Sequence, residues 1–309
     1  MKACYLFPGQ GAQFPGMGKD LWEQSEQVKR LFELASDKTG IEMRKLIFEG
    51  SEEELKATDK TQVAITLINV AASSALKEKG ISASGAAGFS LGEYSALYEA
   101  GVIKLEDLFP IVKARGDLME RASRNQDSPS GNPGMAAVLG LTLEEVSEVL
   151  ETLEGVYLAN YNSPVQVVVS GSFEGIQKCE AVFEEAGARR VVPLKVSGPF
   201  HSPLLEEARA GLEEVLADYD YSDPQIPVYA NVTGERITSG EEAKRLCVQQ
   251  VVSGVRWVDE EKSILADGYD RYLEVGPGTV LTGLWKYVSK EAKCNPAGSL
   301  EDINKIAEG

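Results

Sequence analysis

Two short segments of the chain hold the residue types that nucleophilic chemistry needs. The first is Gly88-Phe89-Ser90-Leu91-Gly92, a G-x-S-x-G spacing. Such a spacing suits a strand that ends abruptly, turns, and starts a helix with the serine at the apex. The flanking glycines let the turn close against the sheet. The helix N-terminus behind it offers free backbone N–H groups and a partial positive charge where an oxyanion would develop. The bland alternative is a tight strand–helix turn whose serine only caps the helix. A serine hydroxyl is a weak nucleophile at neutral pH, so the chemical reading requires a base. The chain has one histidine, His201. It lies in Ser197-Gly198-Pro199-Phe200-His201-Ser202-Pro203, where two prolines and a glycine stiffen the backbone as expected if one side chain must be aimed. A satisfied histidine in a rigid loop is the competing reading there, and the elbow serine tips the balance toward a nucleophile–base pair.

The elements that must position this pair can be followed along the chain. Residues 3–7 form a short buried strand stopped by Pro8-Gly9, and a glycine-rich loop follows. Helical spacing covers 20–37, 40–48, 51–57, 61–78, 91–99 and 105–124, with a small-residue strand at 85–89. The stretch 125–133 is a polar Gly/Pro-rich linker. After it come a strand at 135–139, a helix at 143–153, strands at 156–160 and 165–170, a helix at 176–186 and a strand at 190–196. The order β-α-β-β-α-β is the split βαβ, or ferredoxin-like, pattern. It predicts a small domain at 127–197 inserted in a larger one made of 1–126 and 198–309. The larger part resumes with a helix at 204–219, a strand at 228–231, helices at 241–252 and 257–267, a strand at 271–275 and a helix from Val280. Alternation of strand and helix on both sides of the insert predicts an α/β fold with a mostly parallel sheet.

Bulk composition narrows the function classes. With 309 residues, 43% apolar and 26% charged, the chain is an ordinary globular length and mixture. Forty-eight acidic against 31 basic residues give a net charge of −17, which disfavours nucleic acid and anionic membrane as partners. The four cysteines, at 4, 179, 247 and 294, form no CxxC pair, so free thiols in a reducing compartment are expected. No run is long and apolar enough for a membrane span, and the N-terminus is too short in apolar residues for a secretory signal. A cytoplasmic protein is the expectation.

Further segments join the two chemical ones in a fixed order: Phe7-Pro8-Gly9-Gln10-Gly11, Gly88–Glu93, Arg115, Asn160–Ser170, Gly198–Ser202 and Glu274-Val275-Gly276-Pro277-Gly278. Over nearly its whole length the chain resembles the malonyl-CoA:acyl carrier protein transacylases. The resemblance implies an α/β-hydrolase-like larger subdomain with a ferredoxin-like insert. It implies Ser90 as the acylated residue and His201 as general base and then acid. The backbone N–H groups of Gln10 and Leu91 match the oxyanion hole, and Arg115 matches the arginine that holds the malonyl carboxylate. The backbone carbonyl of Gln250 matches the group that orients the histidine, so a dyad stands where other serine enzymes have a triad. A buried arginine left unpaired by an acetyl group costs about 3–5 kcal/mol, enough for roughly 10²- to 10³-fold discrimination. Phe200 resembles malonyl-type enzymes, and its ring would crowd an α-methyl group. Two departures stand out: Phe89 replaces the family's usual histidine, and Val63 a common proline.

The resemblance further implies a two-step transfer from malonyl-CoA to the phosphopantetheine thiol of acyl carrier protein, with no metal or redox cofactor, by a monomer. An acidic carrier requires local basic residues, and Arg189, Arg190, Lys195 and Lys286 are the candidates. Three rivals remain at this level. A trans-acting acyltransferase of a polyketide synthase would share these motifs. A serine esterase or thioesterase is disfavoured by the lack of an HGG segment and of an evident third acidic member. A non-enzymatic carrier-binding scaffold is suggested only by Phe89. With one histidine, activity should follow one titration displaced from about 6.5 by its surroundings.

Overall fold

A computed structural model describes residues 1–308. Two four-stranded sheets organise the chain. The first contains β1 (Ala3–Phe7), β2 (Ala83–Gly88), β7 (Arg271–Glu274) and β8 (Cys294–Pro296), all parallel, in the order β2-β1-β7-β8. The second contains β3 (Gly134–Leu139), β4 (Val156–Ser163), β5 (Gln166–Gly171) and β6 (Arg190–Pro193), all antiparallel, in the order β4-β5-β3-β6.

β1 is central and buried throughout, as a parallel strand covered on both faces must be. Tyr5 and Phe7 face one core, Cys4 and Leu6 the other. The larger core is filled by α2 (Glu26–Thr39), α3 (Met43–Glu49), α4 (Glu52–Lys56), α5 (Thr58–Glu78), α6 (Gly92–Glu99), α7 (Leu105–Arg124) and α10 (Glu206–Ala217). Every residue of α5 from Thr61 to Leu76 is buried, which explains its run of small and apolar side chains. The smaller core packs Trp257 and Ile264 of α12 (Trp257–Ala266) with Trp285 of α13 (Val280–Trp285). In the antiparallel sheet, Val138, Val167 and Val169 pack under α8 (Leu143–Leu150) and α9 (Phe173–Glu185). Met135, Ala137 and Val168 alternate to the opposite face and join the larger core. The cleft between the two sheets is therefore lined from both sides. β4 is tied to the larger body where Tyr161 N–H donates to the Val255 carbonyl (2.8 Å) and Val255 N–H to that of Ala159 (2.9 Å).

Several sequence expectations need correction. The helix expected over 20–37 is two helices, α1 (Lys19–Gln24) and α2, broken at Ser25. Ser25 is extended, its Oγ accepts from Val28 N–H, and its hydroxyl donates to Glu78, so the side chain ends one helix by capping the next. Residues 228–231 form no strand. Val228 makes one parallel bridge to Ala86, because Pro227 has no N–H to extend a ladder and the chain reverses at Gly234. β4 runs three residues further than expected, to Ser163, and β6 stops three residues earlier, at Pro193. β8 and the terminal helix α14 (Leu300–Glu308) were not expected. Among the described residues no helix is long and apolar enough to cross a membrane, and all four cysteines are buried and free.

Candidate active site

The G-x-S-x-G segment folds as its glycines require. β2 ends at Gly88 and α6 begins at Gly92. A Cβ on Gly88 would strike the Gly92 backbone, and one on Gly92 would strike the Phe7 carbonyl. Between them Ser90 is held at φ 51°, a left-handed conformation that strains any residue with a side chain. His201 sits at φ 59°, and among the described residues these two alone of the non-glycines have positive φ. Backbone strain thus falls on the two side chains singled out for chemistry.

They meet: Ser90 Oγ lies 2.7 Å from His201 Nε2. His201 Nδ1 lies 2.9 Å from the backbone carbonyl of Gln250. Gln250 is the last residue of α11 (Gly240–Gln250), so its carbonyl lies beyond the helical ladder; it accepts the Ser253 N–H (3.3 Å) and keeps a second lone pair for the histidine. A carbonyl can only accept, so Nδ1 carries the proton and Nε2 presents its lone pair to the serine hydroxyl. The loop is pinned on each side. Ser170 donates to the Phe200 carbonyl, Ser202 donates to that of Pro199 (2.6 Å), and Gly198 abuts the Ser123 side chain.

His201 is buried, and that burial, followed by the nearby Arg115 charge, pushes its pKa down to about 4. The imidazole is neutral at physiological pH and competent as a base. The acid limb of kcat/KM, which reports the free enzyme, should therefore fall near pH 4, with activity lost as pH drops through that value. An anion on Arg115 cancels part of the charge that holds the imidazole down, so the acid limb of kcat should lie higher than that of kcat/KM. Rate profiles between pH 4 and 8 check this, and a kcat/KM limb at 6.5 would contradict it.

Arg115 projects from α7, where Gly116 lets the helix press against the start of α5. The residue is 1% exposed. Nη1 donates to Gln62 Oε1 (2.8 Å), Nη2 to Gln250 Oε1 (2.9 Å), and Nη2 stands 3.4 Å from Ser90 Oγ. The ring of Tyr94 lies 5.4 Å away under the guanidinium. All these partners are neutral, and Nε has none. A buried cation hydrogen-bonded only to neutral groups is able to receive an anion at this place.

A cavity of about 220 Å³ opens onto Ser90, His201 and Arg115. Gln10 and Leu91 line it, and their backbone N–H groups have no acceptor among the described residues. Gly9 brings the two segments together, since a Cβ there would collide with the Phe89 carbonyl. Phe200 lines the cavity with Met119 and Val168. Phe89 packs edge-on against Trp257, 5.4 Å between centroids. Val63 is wholly buried inside α5. Every residue singled out for chemistry is thus in one place. The side chains of Gln62, Glu93, Asn231 and Gln250, which brace the site, were not foreseen. They come from separate helices and a loop, and no local spacing connects them.

A parallel-sheet elbow carrying a serine–histidine pair, with two unengaged N–H groups and a buried cation facing one cavity, defines the acyl-transfer class of α/β protein. The chain belongs to the acyl transferase domain family, whose model matches residues 4–302. It is 41% identical over 306 residues to the malonyl CoA-acyl carrier protein transacylase of Bacillus subtilis (strain 168), covering 98% of this chain and 95% of that one. Among solved structures it is similar to MCAT from Streptococcus pneumoniae, with a TM-score of 0.93 at 37% identity and 99% of each chain covered. It is also similar to a malonyl-transacylase in complex with a type II PKS acyl-carrier protein, with a TM-score of 0.94 at 35% identity, covering 100% of this chain and 99% of the other.

Proposed function

We propose that the protein transfers a malonyl group from malonyl-CoA to the phosphopantetheine thiol of acyl carrier protein, through an ester on Ser90. The observation that carries this reading is the unpaired Arg115 guanidinium 3.4 Å from a serine oxygen that is itself 2.7 Å from a neutral imidazole.

Ser90 Oγ attacks the thioester carbonyl as His201 Nε2 takes its proton. The tetrahedral oxyanion is held by the N–H groups of Gln10 and Leu91. Its collapse breaks the C–S bond, and His201 returns the proton to the departing CoA thiolate. In the second half, His201 takes the proton of the carrier thiol and the sulfur attacks the ester. Collapse then frees Ser90, which recovers the proton. The Gln250 carbonyl steadies the imidazolium formed in each half. A covalent intermediate common to both halves makes the kinetics ping-pong. The steps need no metal or redox cofactor.

Arg115 receives the distal carboxylate of the malonyl group, and Phe200 closes the space an α-methyl group would need. Arg115→Ala should lower kcat/KM for malonyl-CoA by about 10²- to 10³-fold and raise relative use of acetyl-CoA. Competition between the two thioesters measures it, and unchanged selectivity would remove Arg115 from substrate binding.

The antiparallel sheet and its helices, 127–197, form a ferredoxin-like insert in an α/β-hydrolase-like body made of 1–126 and 198–309. The strand order β4-β5-β3-β6 with α8 and α9 on one face supports this division. The insert contributes Asn160, Asn162 and Val168 to the cavity wall. Arg189, Arg190, Lys195 and Lys286 are exposed and outside every ion pair among the described residues, which supports them as the contact for an acidic carrier. We place the reaction in the cytoplasm, carried out by a monomer that supplies fatty acid elongation. Service to a polyketide carrier is the second reading, since one similar structure holds a type II PKS acyl-carrier protein.

A further inference from the structure

Beneath the dyad lies a buried polar cluster that the transfer steps do not use. Asn231, in the loop after the Val228 bridge, is 0% exposed. Its Oδ1 accepts the backbone N–H of Ser90 at 2.6 Å. Its Nδ2 donates to the Gly88 carbonyl (2.7 Å) and to Glu260 Oε1 (2.8 Å), so one amide grips the elbow on both sides of the serine. Its own backbone N–H donates to Glu93 Oε2 (3.0 Å). The same Glu93 oxygen accepts from Gln250 Nε2 (2.7 Å), which also reaches the Ser90 carbonyl (3.1 Å).

Glu93 therefore joins two clamps. Through Asn231 it fixes the strained serine backbone, and through Gln250 it fixes the residue whose carbonyl aims His201 and whose side chain holds Arg115. Glu93 Oε1 and Glu260 Oε2 have no hydrogen-bond partner among the described residues. Burial pushes both carboxyls up, Glu93 to about 7. Two buried acids kept in one cluster without a cation in direct contact are costly for stability alone. Their hydrogen bonds all come from Asn231 and Gln250, the two residues that hold the elbow.

We propose that Asn231 and Glu93 are positioning residues that hold Ser90, Gln250 and His201 as one unit, with Glu93 acting as a double hydrogen-bond acceptor. This rests on the reading of Ser90 and His201 as the reacting pair. Neither residue touches the acyl group. Their loss should therefore lower kcat and the intrinsic reactivity of Ser90 together, with little change in the KM for malonyl-CoA.

The test uses the full chain and two readouts: malonyl transfer, and the rate at which a small fluorophosphonate labels Ser90 without needing Arg115. Asn231→Leu and Glu93→Met should each reduce kcat and labelling by at least about tenfold, comparable to loss of one hydrogen bond to a charged or developing centre, with KM within about threefold. Glu93→Gln keeps one acceptor oxygen for both donors and should stay within about threefold of wild type on both readouts. Should the apolar variants melt below the assay temperature, Asn231→Asp carries the test. It keeps size and the acceptor for Ser90 but replaces the two amide donors with at most one hydroxyl, so the Gly88 carbonyl and Glu260 cannot both be held, and a tenfold fall in both readouts is expected. The proposal is overturned if labelling is unchanged while kcat falls, if KM alone moves, if Glu93→Gln is as damaged as Glu93→Met, or if Asn231→Asp stays within threefold. Failure of wild-type Ser90 to label would instead remove the reacting pair itself.

Discussion

Ser90→Ala should lower malonyl transfer at least about 10⁵-fold while the protein stays folded. The size follows from the chemistry, because with no oxygen at the elbow there is no ester, and the residual rate is whatever the N–H pair and Arg115 can do for direct transfer. The intact fold follows from the structure. The turn is held by backbone groups: Ser90 N–H on Asn231, the Ser90 carbonyl accepting from Gln250, and Phe89 N–H on the Phe7 carbonyl at 2.9 Å. None of these uses the hydroxyl. Alanine carries the same strain at φ 51° as serine, so thermal unfolding should shift by only a few degrees. Steady-state transfer and a melting curve on the same preparation check both halves. Retained transfer above a hundredth of wild type would contradict the role of Ser90.

His201→Ala is the second large effect, about 10³-fold or more on kcat. The imidazole serves each half-reaction twice, taking a proton and returning it, and the chain holds no second histidine to replace it. The nearest titratable alternatives are poorly placed. Arg115 is a permanent cation, and Glu93 lies behind the elbow with its bound oxygen committed to Asn231 and Gln250. The remaining rate should lose its acid limb near pH 4 and rise with hydroxide instead. Malonyl-CoA should still bind, because Arg115 keeps Gln62 and Gln250 as partners. A variant with the wild-type pH profile would show that another group is the base.

The elbow was legible because its requirements are local. Glycines two residues either side of a serine are needed when each Cβ would strike backbone, and the strand and helix on either side have clear periodicities. The insert was legible for the same reason, since its valine alternation and helix spacing are properties of short windows. Val228–Asn231 misled because an apolar run reads as a strand. What decides there is Pro227, which lacks the N–H to extend a ladder, and the turn at Gly234. The terminal helix has a local signal of its own: Ser299 caps it through Asp302 N–H, with Leu300, Ile303 and Ile306 at helical spacing. β8 is three residues long, too short for any period. The bracing cluster was the least accessible part, because Glu93, Asn231, Gln250 and Glu260 are buried polar residues whose partners lie on separate elements. Burial of a carboxylate on α6 has no local signature, and only the fold reveals that it faces an asparagine amide.

The central claim is that a malonyl group passes through an ester on Ser90. Brief incubation of the protein with malonyl-CoA, acid quenching and intact-mass measurement tests it directly. A mass increase of one malonyl group is expected on wild type, localised to the peptide containing Ser90, absent from Ser90→Ala, and discharged by adding holo acyl carrier protein faster than by water. No adduct on wild type, or an adduct that persists in Ser90→Ala, would contradict the account.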